Sequence, residues 1–247
     1  FLLVLEMAWD TMDLGMPKES LVSSEATDDY LKAIFELANE DRKASTSEIA
    51  RKLGISAASV TGMLQKLAAN APPMVSYEKR RGAELTVEGE RRALEVIRHH
   101  RLLESYLHEA LGYRWDEVHQ EAERLEHFIS EDFEERVANR LGDPEFDPHG
   151  HPIPRKDGTM PPCDDIPLHV APQGSEVRVS RVSDDDPDVL RRLASTGLTP
   201  NAVLRIVEHD AVEGPTLLRG ADEQDLPVDA SIVSRIRVRV LREKVTT

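Results

Sequence analysis

The stretch EVHQEAERLEHF, residues 117–128, carries His119, Glu123, Glu126 and His127. At roughly 100° per residue these positions cover about a third of a helix circumference. Two imidazoles and two carboxylates on one stripe make a poor core face, so they are either a solvated face or ligands. Upstream, His100 and Glu104 stand at i,i+4 and share one face of another helix. If the two faces meet, imidazoles and two or three carboxylates converge, which is the donor chemistry of a first-row transition-metal site. Glu and Arg crowd both helices, and a charged solvated face produces the same spacing, so spacing alone leaves both readings open. His99 and His108 read as surface residues. His149 and His151, in a proline-rich stretch, read as loop histidines.

The elements that must position these groups are legible in outline. VEGERRALEVIRHHRLLESYLHEALG, ending at Gly112, is long and amphipathic, and WDEVHQEAERLEHFISEDFEERVANRLG, ending at Gly142, follows as a second helix. Together they predict a helical hairpin with an apolar seam of Leu94, Ile97, Leu102, Leu103, Leu107, Val118, Leu125 and Ile129, of the kind that a partner copy completes. Before them, TDDYLKAIFELANE (27–40) predicts a helix with Thr27 as N-cap. Ser45 or Thr46 then starts a helix through Leu53, with Glu48 placed for a capping box and Gly54 to end it. Ser56 caps another helix, Ala57 to about Ala69, which makes a helix-turn-helix. VSYEKRRGAELT adds two short strands around the basic tip Lys79-Arg80-Arg81-Gly82, the pattern of a winged helix.

Residues 143–174 hold eight prolines and read as a linker. Beyond them SEVRVSRVS, AVLRIVEH, PTLLRG and IVSRIRVRVL alternate as strands, with one helix from Pro187 to Ser195, and predict a β-barrel of SH3-like size. The fold class expected is therefore mainly α with β. Its parts are a leader at 1–26 that is disordered or foreign to the folded protein, a winged helix-turn-helix at 27–92, a helical metal-binding and dimerisation domain at 93–142, the linker at 143–174 and the SH3-like domain at 175–247. Met16, followed by PKES, is a candidate start, and no basic segment precedes FLLVL to make a signal peptide.

Composition narrows the function classes. One cysteine, Cys163, excludes an internal disulfide framework and a CxxC zinc site, and it fits a reducing cytoplasm. No apolar run approaches the roughly 18 residues of a membrane span. The net charge of −15 argues against indiscriminate coating of nucleic acid, but the charge is uneven: residues 27–92 carry 11 Lys and Arg against 10 Asp and Glu. Affinity for an anion is expected in that first third.

With these pieces in order, the chain resembles the diphtheria toxin repressor and manganese transport regulator family of metal-dependent regulators. The carriers are TDDYLKAIFEL (27–37), the winged helix, HRLLE (100–104), VHQEAERLEHFIS (118–130), DPHGHPIP (147–154) and the C-terminal, FeoA-like barrel. The resemblance implies a homodimer on a palindromic double-stranded operator and two metal sites per subunit. It implies a regulatory site of Asp29, Glu123, Glu126 and His127, and a neighbouring site of His100, Glu104 and His119 completed by a barrel acid, for which Asp186 aligns best. Members that sense iron carry Met and Cys where this chain has Asp29 and Glu123. Oxygen donors at both positions favour Mn(II), with Fe(II) as the alternative. Short manganese regulators carry a second acid three residues after the Asp, whereas this chain has Lys32.

In the recognition helix, Ser56, Ser59 and Thr61 are expected to reach phosphates, with Lys66, Lys79, Arg80 and Arg81 adding charge. Gly62 stands where relatives often read a base, which leaves Ala58, toward a thymine methyl, and Gln65 for base contact. Shape readout then carries more of the specificity. The expected function is a metal-gated repressor of metal-uptake genes. Two other classes compete. A carboxylate-bridged di-iron enzyme needs Glu-x-x-His pairs on two helices, and neither helix has one. A peptide-binding adaptor needs aromatics in its barrel, and residues 175–241 contain no Phe, Tyr or Trp.

Overall fold

A computed structural model of the chain describes residues 24–38, 42–209, 215–220 and 223–242. The leader read over 1–26 lies, up to residue 23, outside the described residues. The first helix, α1 (Ser24–Leu37), begins before Thr27. Glu25 in its first turn complements the helix dipole, so Ser24 and Glu25 offer an earlier start than the expected cap.

α2 (Thr46–Leu53) starts at the Ser45 capping box and ends on Gly54 at φ 66°. α3 (Ala57–Ala69) has Ser56 as its cap. α1, α2 and α3 bury Leu31, Ile34, Ile49, Val60, Leu64 and Leu67 in one core. The wing is β1 (Val75–Glu78) paired antiparallel with β2 (Gly82–Leu85), its tip at 79–81. Lys43 pins the wing to the head, with its Nζ 2.8 Å from Glu84 and 3.3 Å from Glu78.

α4 (Val87–Glu109) is capped by Thr86 and runs for 23 residues, about 35 Å at 1.5 Å per residue. It packs against α1, α5 and α6, which is how one helix brings His100 and Glu104 near ligands from several parts of the chain. The second helix of the hairpin, read as continuous to Gly142, is broken into α5 (Val118–Leu125) and α6 (Glu131–Leu141). The Ser130 side chain accepts from the Phe133 amide and caps α6, so an N-cap signal lies inside a seemingly unbroken apolar period. The break turns Glu126 and His127 inward and leaves Leu125 and Phe128 exposed. Leu125 is therefore not in the seam, whereas Leu103, Leu107, Val118 and Ala122 do pack together.

Residues 143–165 do not behave as a free linker. Arg98 donates to the Pro154 carbonyl, Trp115 Nε1 donates to the Pro148 carbonyl, and Ile153 is buried beside Leu102, Val137 and Ala138. Gly150, at φ 88°, fixes the close approach to the barrel, since a Cβ there would stand 2.0 Å from the Ser180 carbonyl oxygen. Proline stiffness here builds a strap, with its backbone bonds satisfied by side chains of α4 and the following loop.

The barrel is a six-stranded antiparallel sheet in the order β3 (Ile166–Pro167), β8 (Ile236–Arg242), β4 (Glu176–Val182), β5 (Val203–Glu208), β6 (Thr216–Arg219), β7 (Asp225–Val228). Register shifts between Val179 and Arg181 and between Ile206 and Glu208 bend it around Val177, Val179, Ile206, Leu218 and Val238. α7 (Pro187–Ser195) closes one side with Leu190 and Leu193, and a short turn of helix, α8 (Ala230–Val233), leads into β8.

Candidate metal centre

Five groups of possible donors form among the described residues, and one of them draws a residue from α1. On the head side the donor atoms of Asp29, Glu126 and His127 lie within 4.8 Å of one another. Asp29 comes from α1, and the other two come from the turn after α5. His127 Nε2 is 3.1 Å from Asp29 Oδ1 and 3.7 Å from Glu126 Oε1. His127 Nδ1 is buried and has no hydrogen-bond partner among the described residues. It points toward Asp28, which Arg92 grips with two bonds of 2.8 Å. Burial raises the Asp29 carboxyl above its usual range, with His127 opposing the shift and Glu123 and Glu126 adding to it.

Glu123, expected in this group, turns instead toward Lys32. The Lys32 ammonium lies 2.8 Å from Glu123 Oε1, 2.9 and 3.0 Å from the two Glu126 oxygens and 3.1 Å from His100 Nδ1. The donors of His100, Glu123 and Glu126 are themselves within metal-binding distance of one another, so a side-chain cation sits among them. Burial disfavours the charge on Lys32, but Glu126 and Glu123 outweigh it and raise its pKa. They are held below the usual carboxylate range in return, against their own burial.

On the barrel side, His100, Glu104, His119 and Asp184 form one group of four, and Glu104, Asp147, His149 and Asp184 form another. Glu104 Oε1 is 3.0 Å from both His100 Nε2 and His119 Nδ1. Glu104 Oε2, Asp147 Oδ2, His149 Nδ1 and His151 Nδ1 are buried with no hydrogen-bond partner among the described residues. Orphaned acceptors and imidazole nitrogens aimed at one space are expensive to desolvate, and a cation satisfies them together. Burial lowers His100, and Lys32 lowers it further, yet Glu104 and Glu126 raise it to about 10. His149 is raised to about 9 by Glu104, Asp147 and Asp184 in spite of its burial. Lys32 and the Arg101 guanidinium, 3.8 Å from Asp147, bring positive charge to these carboxylates.

The barrel acid that lies among these donors is Asp184, whereas Asp186 stands in none of the groups. Asp186 Oδ1 accepts from the Asp188 and Val189 amides and caps α7, which holds that side chain at the helix start. Asp184, two residues earlier, lies 3.6 Å from His119. His149 and His151 lie in a loop, as read, but the loop folds back and buries His149 among the acids. Asp147 Oδ1 accepts from both of their amides, and this turn carries His149 beneath Glu104 and His151 to 3.5 Å from Asp184. The sequence signal was available in DPHGHPIP, where an Asp precedes two histidines at i+2 and i+4. His99 is buried rather than exposed, its Nε2 3.1 Å from Glu134.

The residues expected to meet DNA are open to solvent, apart from the half-buried Thr61. Ser56, Ala58, Ser59, Gln65, Lys66, Lys79, Arg80 and Arg81 are exposed on α3 and the wing. The Thr61 hydroxyl donates to the Ala57 carbonyl, and Ser56 and Ser59 share a 2.9 Å hydrogen bond, so their capacity toward phosphate is partly used. Among the described residues no helix is long and apolar enough to cross a membrane.

Three family descriptions match the chain in succession. They are iron dependent repressor, N-terminal DNA binding domain (residues 23–83), iron dependent repressor, metal binding and dimerisation domain (86–155) and FeoA domain (166–240). The iron-dependent repressor IdeR of Mycobacterium leprae is 31% identical over 215 residues, 82% of this chain and 93% of that protein. Its counterpart in Mycobacterium tuberculosis is 34% identical over 190 residues, 72% of this chain and 82% of that protein. Among solved structures, a manganese-dependent transcriptional repressor in complex with manganese superposes with a TM-score of 0.79 at 36% identity, covering 87% of this chain and 100% of the other. The manganese regulator SloR gives 0.72 at 33% identity, covering 87% and 98%.

Proposed function

Because the chain belongs to the diphtheria toxin repressor family of metal-dependent transcriptional repressors, we propose that Asp29, Glu126 and His127 hold the ion that gates its DNA binding. The chain is a DNA-binding, dimerising regulator and not an enzyme. The observation that carries the proposal is the 3.1 Å approach of Asp29 to His127 from two different domains. Asp29 moves with the DNA-reading head. Glu126 and His127 are fixed to the helices that pack on α4. A divalent cation supplies the charge that lets these carboxylates stay together. Donors drawn to one point fix α1, and with it α3, relative to the dimer. Two α3 helices then span one DNA turn, roughly 34 Å. Occupancy shifts the population only by its preference for that arrangement.

The second centre, built on Glu104, ties the barrel to α4 through Asp184 and the strap through His149. It acts as a brace rather than a gate, because none of its donors comes from the head. Among the two centres every donor is a carboxylate or an imidazole. That set favours Mn(II), with Fe(II) second. The iron reading keeps its place because the mycobacterial relatives are named iron-dependent repressors. Ser56, Ala58, Ser59, Thr61, Gln65 and Lys66 of α3, with Lys79, Arg80 and Arg81 of the wing, supply the DNA contacts. The site of action is the cytoplasm, which suits a DNA-binding protein with one free thiol, Cys163.

The test is operator binding by fluorescence anisotropy in Mn(II), in anaerobic Fe(II) and in excess EDTA. Tight binding only with metal supports the gate, and the order of the two metals names the physiological class. Equal affinity in EDTA removes it.

A further inference from the structure

We propose that the barrel-side centre takes two ions, with Glu104 and Asp184 as bridging carboxylates. This rests on the metal-binding reading above and extends it. The two groups of four donors share these two residues and differ in the rest: His100 and His119 in one, Asp147 and His149 in the other. The two oxygens of Glu104 face opposite ways. Oε1 lies 3.0 Å from His100 Nε2 and from His119 Nδ1. Oε2 lies 3.6 Å from His149 Nδ1, and both of those atoms are buried and without a hydrogen-bond partner among the described residues. A carboxylate so placed offers one oxygen to each of two cations.

A single ion does not account for the set. Around one octahedral ion with bonds of about 2.2 Å, opposite donors stand about 4.4 Å apart. Six donors serving one ion would then fall in one group of that span, and these fall in two, each within 4.8 Å. The second position has a spare donor at its rim. His151 Nδ1 is 3.4 Å from Asp147 Oδ2 and 3.5 Å from Asp184 Oδ2, and has no hydrogen-bond partner among the described residues. Bridged ions of this kind lie about 3.5–4 Å apart. The subunit thus has two centres but room for three ions.

The experiment is equilibrium dialysis of the chelator-stripped full chain against excess Mn(II), with metal counted by mass spectrometry and spin state read by low-temperature electron paramagnetic resonance. Three Mn(II) per subunit are expected, with two of them exchange-coupled, so that the uncoupled six-line signal accounts for only one. Two Mn(II) per subunit with full uncoupled intensity would overturn the bridge. Asp147→Asn keeps the acceptor for the His149 and His151 amides and removes one anionic donor. It should reduce the count from three to two and abolish the coupling, and retention of both would also overturn the proposal. Asp29→Ala should lose only the head-side ion and keep the coupled pair. Failure of the wild-type chain to bind any Mn(II) would instead remove the metal reading on which this inference rests.

Discussion

Asp29 of α1 and His127 of the turn after α5 face each other across 3.1 Å, one in the DNA-reading head and the other in the helical domain that dimerises. On the proposed gate, this pair is where a bound cation would couple the two. Asp29→Ala should lower metal-dependent operator affinity by at least the roughly 10- to 100-fold that even a supporting residue costs a metal site. Circular dichroism should be unchanged, since the Asp29 side chain is 43% exposed. Metal-dependent binding that survives the substitution would show that the head is held in another way.

Lys32 lies among Glu123, Glu126 and His100 as an internal cation. Lys32→Met should leave the fully buried Glu126 carboxylate poorly compensated. The metal-free chain should lose about 3–5 kcal/mol, the usual cost of breaking a buried pair. Added Mn(II) should restore more stability to the variant than to the wild type, because the ion no longer competes with the ammonium for Glu126. Thermal melts with and without Mn(II) measure both effects.

Asp184 and Asp186 separate metal binding from capping. Asp186→Ala should cost about 0.5–2 kcal/mol through loss of the α7 cap and leave the Mn(II) count unchanged. Asp184→Ala should reduce the Mn(II) count and spare α7. The opposite pattern in denaturation and dialysis would return the ligand role to Asp186.

Gly150 holds the strap against β4. Gly150→Ala would place a Cβ 2.0 Å from the Ser180 carbonyl oxygen at a backbone φ of 88°. The left-handed conformation alone costs about 1–2 kcal/mol, and the clash adds to it. The strap should lift, breaking the hydrogen bond from the Val182 amide to the His149 carbonyl and withdrawing His149 from Glu104. Denaturant unfolding and the Mn(II) count should fall together.

Asp165 is a buried acid outside either metal centre, with Arg237 Nε 2.5 Å from one oxygen and Arg181 Nε 2.9 Å from the other. Burial pushes its carboxyl up, but bonds from Arg237 and Cys163 and the charge of Arg181 outweigh it and hold the group below the usual range. A carboxyl lowered by folding contributes stability that is present above its unfolded value, 3.8, and is lost as pH falls through the folded value. Acid unfolding of the wild type should therefore steepen below about pH 4. In Asp165→Asn that acid-dependent contribution should vanish, at a cost of about 3–5 kcal/mol near neutrality.

Much of this protein was legible before any coordinates, because the informative signals were local. The Ser45 box, the Gly54 stop, the Ser56 cap and the basic wing tip each need only a few neighbouring residues, and all form as read. The site was legible in part for the same reason. Adjacency in the chain placed Glu126 with His127, and i,i+4 spacing placed His100 with Glu104.

What composition and period could not determine was how distant pieces compete for the same atoms. Asp184 rather than Asp186 reaches His119 because the cap of α7 holds the Asp186 side chain by one oxygen at the helix start, while Asp184 precedes that turn. His149 reaches Glu104 because the proline-rich strap folds back onto α4, a long-range contact with no periodicity of its own. Glu123 goes to Lys32 because an ammonium in a buried acidic space must find its counter-charges. Residue types and spacing gave a winged helix-turn-helix and two helices rich in carboxylates and imidazoles, and the metal-responsive reading came from the resemblance those motifs carry. The choice of which of those carboxylates and imidazoles share an ion belongs to the packed molecule, since desolvation charges every buried polar atom for a missing partner and only the assembled fold determines which partners are in reach.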